Sequence, residues 1–170
     1  MKNSNKKGFT LVELVVVIAI ICVLAAILVP SMMGYVKKSR LKTANGNAKT
    51  AYNTAAGALA DLETSGVQVT SLEIKNVDCT AGGSPAEIDD VADEAAGQKY
   101  VEEVVKQALG ANGGDGGYVS VVGNTKANDV WYAAWHRKSG DKLVGRYPEA
   151  PSTVEKAEAI DISNPAPAGN

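Results

Sequence analysis

The chain has 170 residues, with 17 basic side chains, 19 acidic side chains, one histidine and two cysteines. Three lysines lie within the first eight residues, so the remainder carries 14 bases against 19 acids, a charge of −5. This acidic balance argues against a nucleic-acid-binding surface, which is usually basic. A single histidine, His136, leaves too few partners for a histidine-based zinc site or a catalytic triad. We therefore expect no metal, no cofactor and no enzymatic activity.

A long apolar run follows the basic N-terminus. It extends from Leu14 to Val36 without a formal charge. As a helix it would be about 34 Å long, enough to cross the hydrocarbon core of a membrane. The lysines before it favour a cytoplasmic N-terminus and an external C-terminal part. A cleaved secretory signal explains the run less well, because the run is too long and no turn-rich cleavage segment follows it.

One carboxylate, Glu13, lies at the edge of this run. An unpaired charge at that depth costs about 2.5–3.5 kcal/mol or more, so such acids are functional candidates. If the chain is cut between Gly8 and Phe9, the new amine lies about one helical turn from Glu13. The amine of one copy would then neutralise Glu13 of a neighbouring copy, which favours lateral association.

The sequence Lys6-Lys7-Gly8-Phe9-Thr10-Leu11-Val12-Glu13 and its apolar helix resemble the class III signal of type IV pilins and pseudopilins. The resemblance implies cleavage after Gly8, N-methylation of Phe9 and a role for Glu13 in subunit recruitment. It also implies as partners a prepilin peptidase/methyltransferase, an assembly ATPase acting through a platform protein, and sister pilins.

The N-terminal helix is predicted to run from Phe9 to Glu63 and to stop at Ser65-Gly66. Pro30 removes one helical hydrogen bond and Gly34 weakens the next turn, so a kink is expected there. Beyond residue 36 the helix becomes amphipathic. Its predicted buried stripe is rich in small residues: Leu41, Ala44, Ala48, Ala51, Tyr52, Ala55, Leu59 and Leu62.

The head is predicted to contain strands and one further helix. Residues 67–77 and 118–122 have strand character, and residues 129–137 and 142–147 are predicted to form a hairpin turning at Ser139-Gly140. Ser84 to Glu87 matches a capping box, which predicts a helix reaching Leu109 and ending at Gly110. Its expected buried stripe comprises Ile88, Val91, Ala92, Ala95, Val101, Val104, Val105 and Ala108.

Several head residues allow two interpretations. Trp131 and Trp135 share one strand face; core packing is the simpler role, and an adhesive platform for sugar rings is the alternative. The acids of residues 89–94 are explained by a helix N-terminus better than by calcium, since the EF-hand spacing is absent. Cys22 and Cys79 are expected to be too far apart to bridge.

These features predict an α+β fold: a long N-terminal helix, its first half in the membrane, packed by its second half on a small antiparallel sheet with an additional helix. The expected segments are a leader at 1–8, a transmembrane or filament-core half at 9–36 and an amphipathic half at 37–65. The head follows at 66–150. The tail at 151–170 is expected to be disordered from residue 164.

The function expected from the resemblance is that of a pilus subunit, held in the cytoplasmic membrane and then packed in an extracellular filament. Three interpretations remain open at this level. They are a major pilin forming the shaft, a minor pilin that binds a polysaccharide through its head, and a pseudopilin of a type II secretion or DNA-uptake system. Membrane lipids contact the chain before assembly in each case.

Overall fold

The computed structural model describes residues 8–110, 116–124 and 130–166. The chain divides into two compact units, Met1–Lys37 and Lys38–Asn170. Each unit is described by itself below. The predicted leader before Gly8, residues 111–115 and 125–129, and the last four residues lie outside the described residues.

The first unit is helical from Leu11 onwards. Helix α1 spans Leu11–Thr64 and continues through Pro30 without a break. It begins two residues later than predicted, because Thr10 is its N-cap and accepts the first helical hydrogen bond from the Leu14 N–H. By length and composition its apolar part is sufficient to cross a membrane.

The second unit begins with the remainder of α1, which buries a stripe made mostly of alanine. The helix ends where predicted, since Gly66 adopts φ +90° and donates its N–H to the Glu63 carbonyl, while Val67 donates to Leu62. These two bonds form a Schellman cap, in which glycine tolerates the left-handed conformation. The buried α1 residues are Leu41, Ala44, Ala48, Ala51, Ala55, Ala58 and Leu62.

A four-stranded antiparallel sheet packs against this alanine stripe. Its strands are β1 (Ser71–Asp78), β2 (Tyr118–Asn124), β3 (Val130–His136) and β4 (Gly145–Tyr147), in the order β1-β2-β3-β4. Small side chains on α1 allow a close approach: a Cβ on Gly145 would lie 2.1 Å from the carbonyl carbon of Ala44. The core of the second unit therefore lies between α1 and one face of the sheet.

The second predicted helix is confirmed, but its predicted start is wrong. Helix α2 spans Glu94–Gly110, and Asp93 caps it by accepting the Ala96 N–H through Oδ1 at 2.8 Å. At Ser84 the backbone N–H instead donates to Glu103 Oε2, and Glu87 stays extended before a short 3₁₀ turn at Ile88–Asp90. The long-range bond to Glu103 thus competes with local capping at Ser84.

The buried stripe of α2 differs accordingly. Ala92 and Ala95 are exposed, and Ile88 and Val91 precede the helix. The side of α2 that faces the core carries Gly97, Val101, Val105 and Leu109. A glycine is required at residue 97 because a Cβ there would lie 2.8 Å from Val69 Cγ2.

The predicted hairpin is confirmed as β3 and β4, with Gly140 at φ +76° in the connection. Part of the tail forms a short helix α3, Val154–Glu158, capped by Thr153. Residues 164–166 differ from the expected disorder, because Pro165 is buried and its carbonyl oxygen accepts from Arg146 Nη1 at 3.3 Å. The α+β fold predicted from the sequence is confirmed.

Candidate functional site: the N-terminal apolar unit

The start of α1 is built around a reciprocal pair, Thr10 and Glu13. The Glu13 N–H donates to Thr10 Oγ1 at 3.2 Å, while Glu13 Oε2 accepts the Thr10 N–H at 2.9 Å and the Thr10 hydroxyl at 2.7 Å. This is a capping box, which satisfies two of the N–H groups left unpaired at a helix start. The Glu13 side chain is therefore held beside the helix N-terminus, where the helix dipole stabilises a carboxylate.

Thr10 is a residue of this candidate site that the sequence prediction did not include. Its signal was available, since Thr10 and Glu13 have the hydroxyl–carboxylate spacing of a capping box immediately before an apolar run. All of the described contacts of Glu13 use Oε2 or its backbone N–H. Among the described residues Oε1 accepts no bond, so this oxygen is available to a cation from outside the chain.

Around Glu13 the first unit exposes large apolar side chains on every side of the helix. Every described residue from 8 to 37 is exposed except Ala25, which is half-buried. A continuous apolar surface of this extent marks a segment that is covered by lipid or by protein. The exposed large side chains are Phe9, Leu11, Val12, Leu14, Val15, Val16, Val17, Ile18, Ile20, Ile21, Val23, Leu24, Ile27, Leu28, Val29, Met32, Met33, Tyr35 and Val36.

The predicted cleavage point lies before the helix. Gly8 and Phe9 are not helical, and the Phe9 side chain is 89% exposed. A Cβ added at Gly8 would meet nothing within 4 Å, and the same holds at Gly34. Packing among the described residues therefore gives no reason for glycine at either position. Pro30 and Gly34 both lie within the continuous helix.

Trp131 and Trp135 were the predicted adhesive candidates in the head. The structure buries Trp135 to 2% exposure and directs its Nε1–H to the Gly116 carbonyl at 2.8 Å, while Trp131 packs half-buried against the core. A buried indole cannot offer its face to a sugar ring. The platform interpretation is wrong for Trp135, and core packing accounts for both side chains.

His136 is a structural residue of the head. Its ring is buried between the Asp141 carbonyl oxygen, 3.2 Å from Nδ1, and Asn76 Oδ1, 3.1 Å from Nε2. Burial lowers its pKa, and the hydrogen bond to Asp141 partly opposes that shift. Burial also raises the pKa of the Cys79 thiol to about 12, so this cysteine is a packed neutral side chain. Cys22 is exposed, and both cysteines are free.

The same N-terminal region carries the similarity to known proteins. Residues 3–29 match the family described as "Prokaryotic N-terminal methylation motif". The chain is 36% identical over 95 residues to a fimbrial protein of Neisseria meningitidis serogroup B, an alignment covering 46% of this chain and 56% of the relative. The N-terminal part of the chain is thus similar to that of type IV fimbrial proteins and pilins. No solved structure matches it significantly.

Two further relatives show how the similarity is distributed along the chain. Fimbrial protein EcpC of Eikenella corrodens is 34% identical over 113 residues, covering 66% of this chain and 62% of the relative. The type IV wide pilus major component PilA4 of Thermus thermophilus is 50% identical over 48 residues, covering 28% and 33%. The chain thus spans about half the length of the first fimbrial relatives it matches, and identity is highest over the shortest alignment.

Proposed function

We propose that this chain is a structural subunit of a type IV pilus. Residues 9–36 hold it in the cytoplasmic membrane with the head outside, a prepilin peptidase/methyltransferase cuts between Gly8 and Phe9 and methylates the new amine, and the subunit then packs into an extracellular filament. A platform protein and an ATPase drive the assembly. The observation that carries the proposal is the exposed apolar helix with one carboxylate at its start.

The energetics of that helix favour a polymer. Removing apolar surface from water is worth about 25 cal/mol per Å², so an exposed helix of this size needs a partner. Lipid is the partner before assembly. Helices of sister subunits replace lipid in the filament core, and the Phe9 amine of one copy binds the available oxygen of Glu13 in another. That contact fixes the axial register between neighbouring helices.

A shaft-forming subunit is the best supported of the three interpretations. Relatives from Dichelobacter nodosus and Myxococcus xanthus are named a type IV major fimbrial protein and a type IV major pilin protein. The burial of Trp135 removes the main support for an adhesive head. The names of the relatives likewise favour a structural role over a catalytic one.

Two substitutions of Glu13 separate its cap from its charge. Glu13→Gln keeps a residue that completes a capping box but removes the charge, whereas Glu13→Ala removes both. With either variant as the sole subunit, we expect normal membrane insertion and cleavage and a loss of surface filaments, measured by immunoblotting of membranes and electron microscopy of sheared material.

Comparing filament formation by the two variants shows whether the charge or the helix cap of Glu13 matters. If charge pairing with the Phe9 amine drives assembly, Gln cannot rescue it. Filaments from Glu13→Gln but not from Glu13→Ala would show that only the helix cap matters. Normal filaments from both would refute the assigned role of Glu13.

A further inference from the structure

A cavity of about 290 Å³ opens in the second unit between α1 and the connection from β3 to β4. Arg40 and Arg137 line it together with two hydroxyl side chains, Ser39 and Thr43. Ala44 and Trp135 form an apolar part of the cavity lining. Asp141 also lines the cavity, and its Oδ1 accepts the Leu143 N–H at 3.2 Å. Two guanidinium side chains and two hydroxyls outnumber this one carboxylate, which suits the opening to carboxylate or phosphate oxygens.

The surroundings of this cavity are strongly basic. Six exposed basic side chains lie on the same turns of α1 and on the β3–β4 connection, and Asp141 is the one acid among them. We call this surface the basic end of the head. Its members are Lys38, Arg40, Lys42, Arg137, Lys138 and Lys142.

The opposite charge collects at the other end of the same head. Residues 57–98 contain nine acids and one base, Lys75, whose Nζ pairs with Glu73 at 3.0 Å. Glu94 Oε1 accepts the Thr70 N–H at 2.7 Å, and Gly97 approaches Val69, so the start of α2 lies beside the end of α1 and the start of β1. The exposed acids gathered there form the acidic end: Asp61, Glu63, Asp89, Asp90 and Asp93.

Local structure accounts for Asp93, which caps α2, but not for the rest of this acidic end. Asp61 and Glu63 lie in the last turns of α1, where the helix dipole disfavours carboxylates, and no base accompanies them there. Asp89 and Asp90 precede α2 instead of capping it. Like charges at one end also repel one another. An outside partner of positive charge would relieve both effects.

The two ends cannot neutralise each other within one subunit. Arg40 and Asp61 lie 21 residues apart on the same helix, which is about 32 Å at 1.5 Å per residue. That separation is several times the screening length of about 8 Å at physiological ionic strength. Attraction between Arg40 and Asp61 of one subunit is therefore screened by the solvent.

We propose that the basic end of one copy docks on the acidic end of a second copy, with acidic side chains of the second copy entering the cavity at Arg40. This inference rests on the proposed function and adds a contact between heads to it. Basic and acidic ends at opposite extremes of one head make a heterologous, head-to-tail contact. Contacts of that kind propagate into open helical polymers, as a filament requires.

A second copy explains the observations better than a lipid headgroup does. Anionic lipid would account for the basic end, which follows the apolar part of α1, but it leaves the acidic end unexplained. A second copy accounts for both ends at once, since each supplies the charge that the other lacks. Complementary charge also fixes register and rejects wrong docking arrangements.

Charge reversal tests the contact in the full-length chain. With Arg40→Glu or Asp90→Lys as the sole subunit, we expect about a tenfold or greater loss of sheared filament, because like charges would face each other between copies. Co-expression of the two single variants creates one reversed but complementary pair, and we expect it to restore filaments to within about threefold of wild type. Lys156→Glu on α3, the same change outside both ends, is the matched control.

The outcomes separate the contact from the function on which it rests. If wild type forms filaments and Arg40→Glu forms them in the same amount, the proposed contact is overturned and the proposed function stands. Absence of wild-type filaments would overturn the proposed function and the contact with it. Arg40→Glu could also lose filaments that co-expression does not restore, and bind phosphatidylglycerol vesicles less than wild type does. That result would assign the basic end to lipid phosphate and overturn docking between copies. Restoration by mixing also shows that both variants fold.

Discussion

Helix α1 contains two regions of opposite design. Its first half exposes large, often branched side chains on all sides, whereas its second half buries a stripe of mainly alanine against the sheet. The small side chains bring the backbone of α1 close to β4, as the approach of Gly145 to Ala44 shows. The large side chains of the first half find no such surface among the described residues. One half of the helix thus packs on its own head, and the other exposes the apolar surface that the proposed function assigns to lipid and to other copies.

The largest expected difference between the two regions is the loss of stability when a leucine is replaced by alanine. Leu62 is fully buried in the core, so Leu62→Ala should lower the free energy of unfolding of the head by about 2–5 kcal/mol. Leu24 is 54% exposed in the first half, so Leu24→Ala should change it by less than about 0.5 kcal/mol. Urea unfolding in detergent, followed by tryptophan fluorescence, measures the head alone because both tryptophans lie in β3. Equal effects at the two positions would contradict the comparison.

Replacing glycine by alanine is expected to have opposite effects on stability in the two regions. Gly145→Ala would place a Cβ 2.1 Å from backbone atoms of α1, so we expect a loss of about 1–3 kcal/mol or more. Gly34→Ala meets nothing within 4 Å and should leave the head unchanged while strengthening its own helix by up to about 1 kcal/mol. Head stability from urea unfolding and helix content from circular dichroism report the two effects. A harmless Gly145→Ala would show that α1 and β4 are less closely packed than described.

The smallest expected effect is a pH dependence confined to the head. Burial of the ring lowers the pKa of His136, and the hydrogen bond to the Asp141 carbonyl oxygen partly opposes that shift. Its pKa in the folded state is therefore below the unfolded value of about 6.5. The unfolded chain takes up the proton first as pH falls. The contribution of His136 to stability is full above about pH 6.5 and declines below it until the folded-state pKa is reached.

The matched variant for this prediction is His136→Asn. Carboxylates change the stability of both proteins in acid, so the informative quantity is the difference between wild type and variant. We expect the free energy of unfolding of wild type to fall more steeply from pH 7 to pH 5.5, measured by urea unfolding at each pH. An identical slope in the two proteins would argue against a buried neutral histidine.

The sequence predicted most of the fold because its signals were local and periodic. The apolar run, the alanine stripe and the stop at Gly66 each follow from the residues of one helix. The hairpin of β3 and β4 was also local. Such features do not depend on contacts between distant parts of the chain.

The errors came from contacts between distant residues. Ser84 and Glu87 have the capping-box spacing, yet the Ser84 N–H bonds Glu103, nineteen residues away, and α2 starts at Glu94 instead. Thr10 and Glu13 have the same spacing and do form the box, because within the first unit nothing described competes for them. For Trp135 the sequence favoured core packing but left a platform open, because its burial depends on distant partners, α1 and the Gly116 carbonyl. Spacing alone could not distinguish these cases.

The identity of the first residue of the mature chain tests the central claim most directly. Filaments sheared from cells that make the native protein would be purified and the intact subunit analysed by mass spectrometry. A filament subunit processed at this site should begin at N-methylated Phe9, retain residues 9–36 and be the dominant component. A purified chain that keeps Met1, or that lacks the apolar segment and is released as a monomer, would contradict the account.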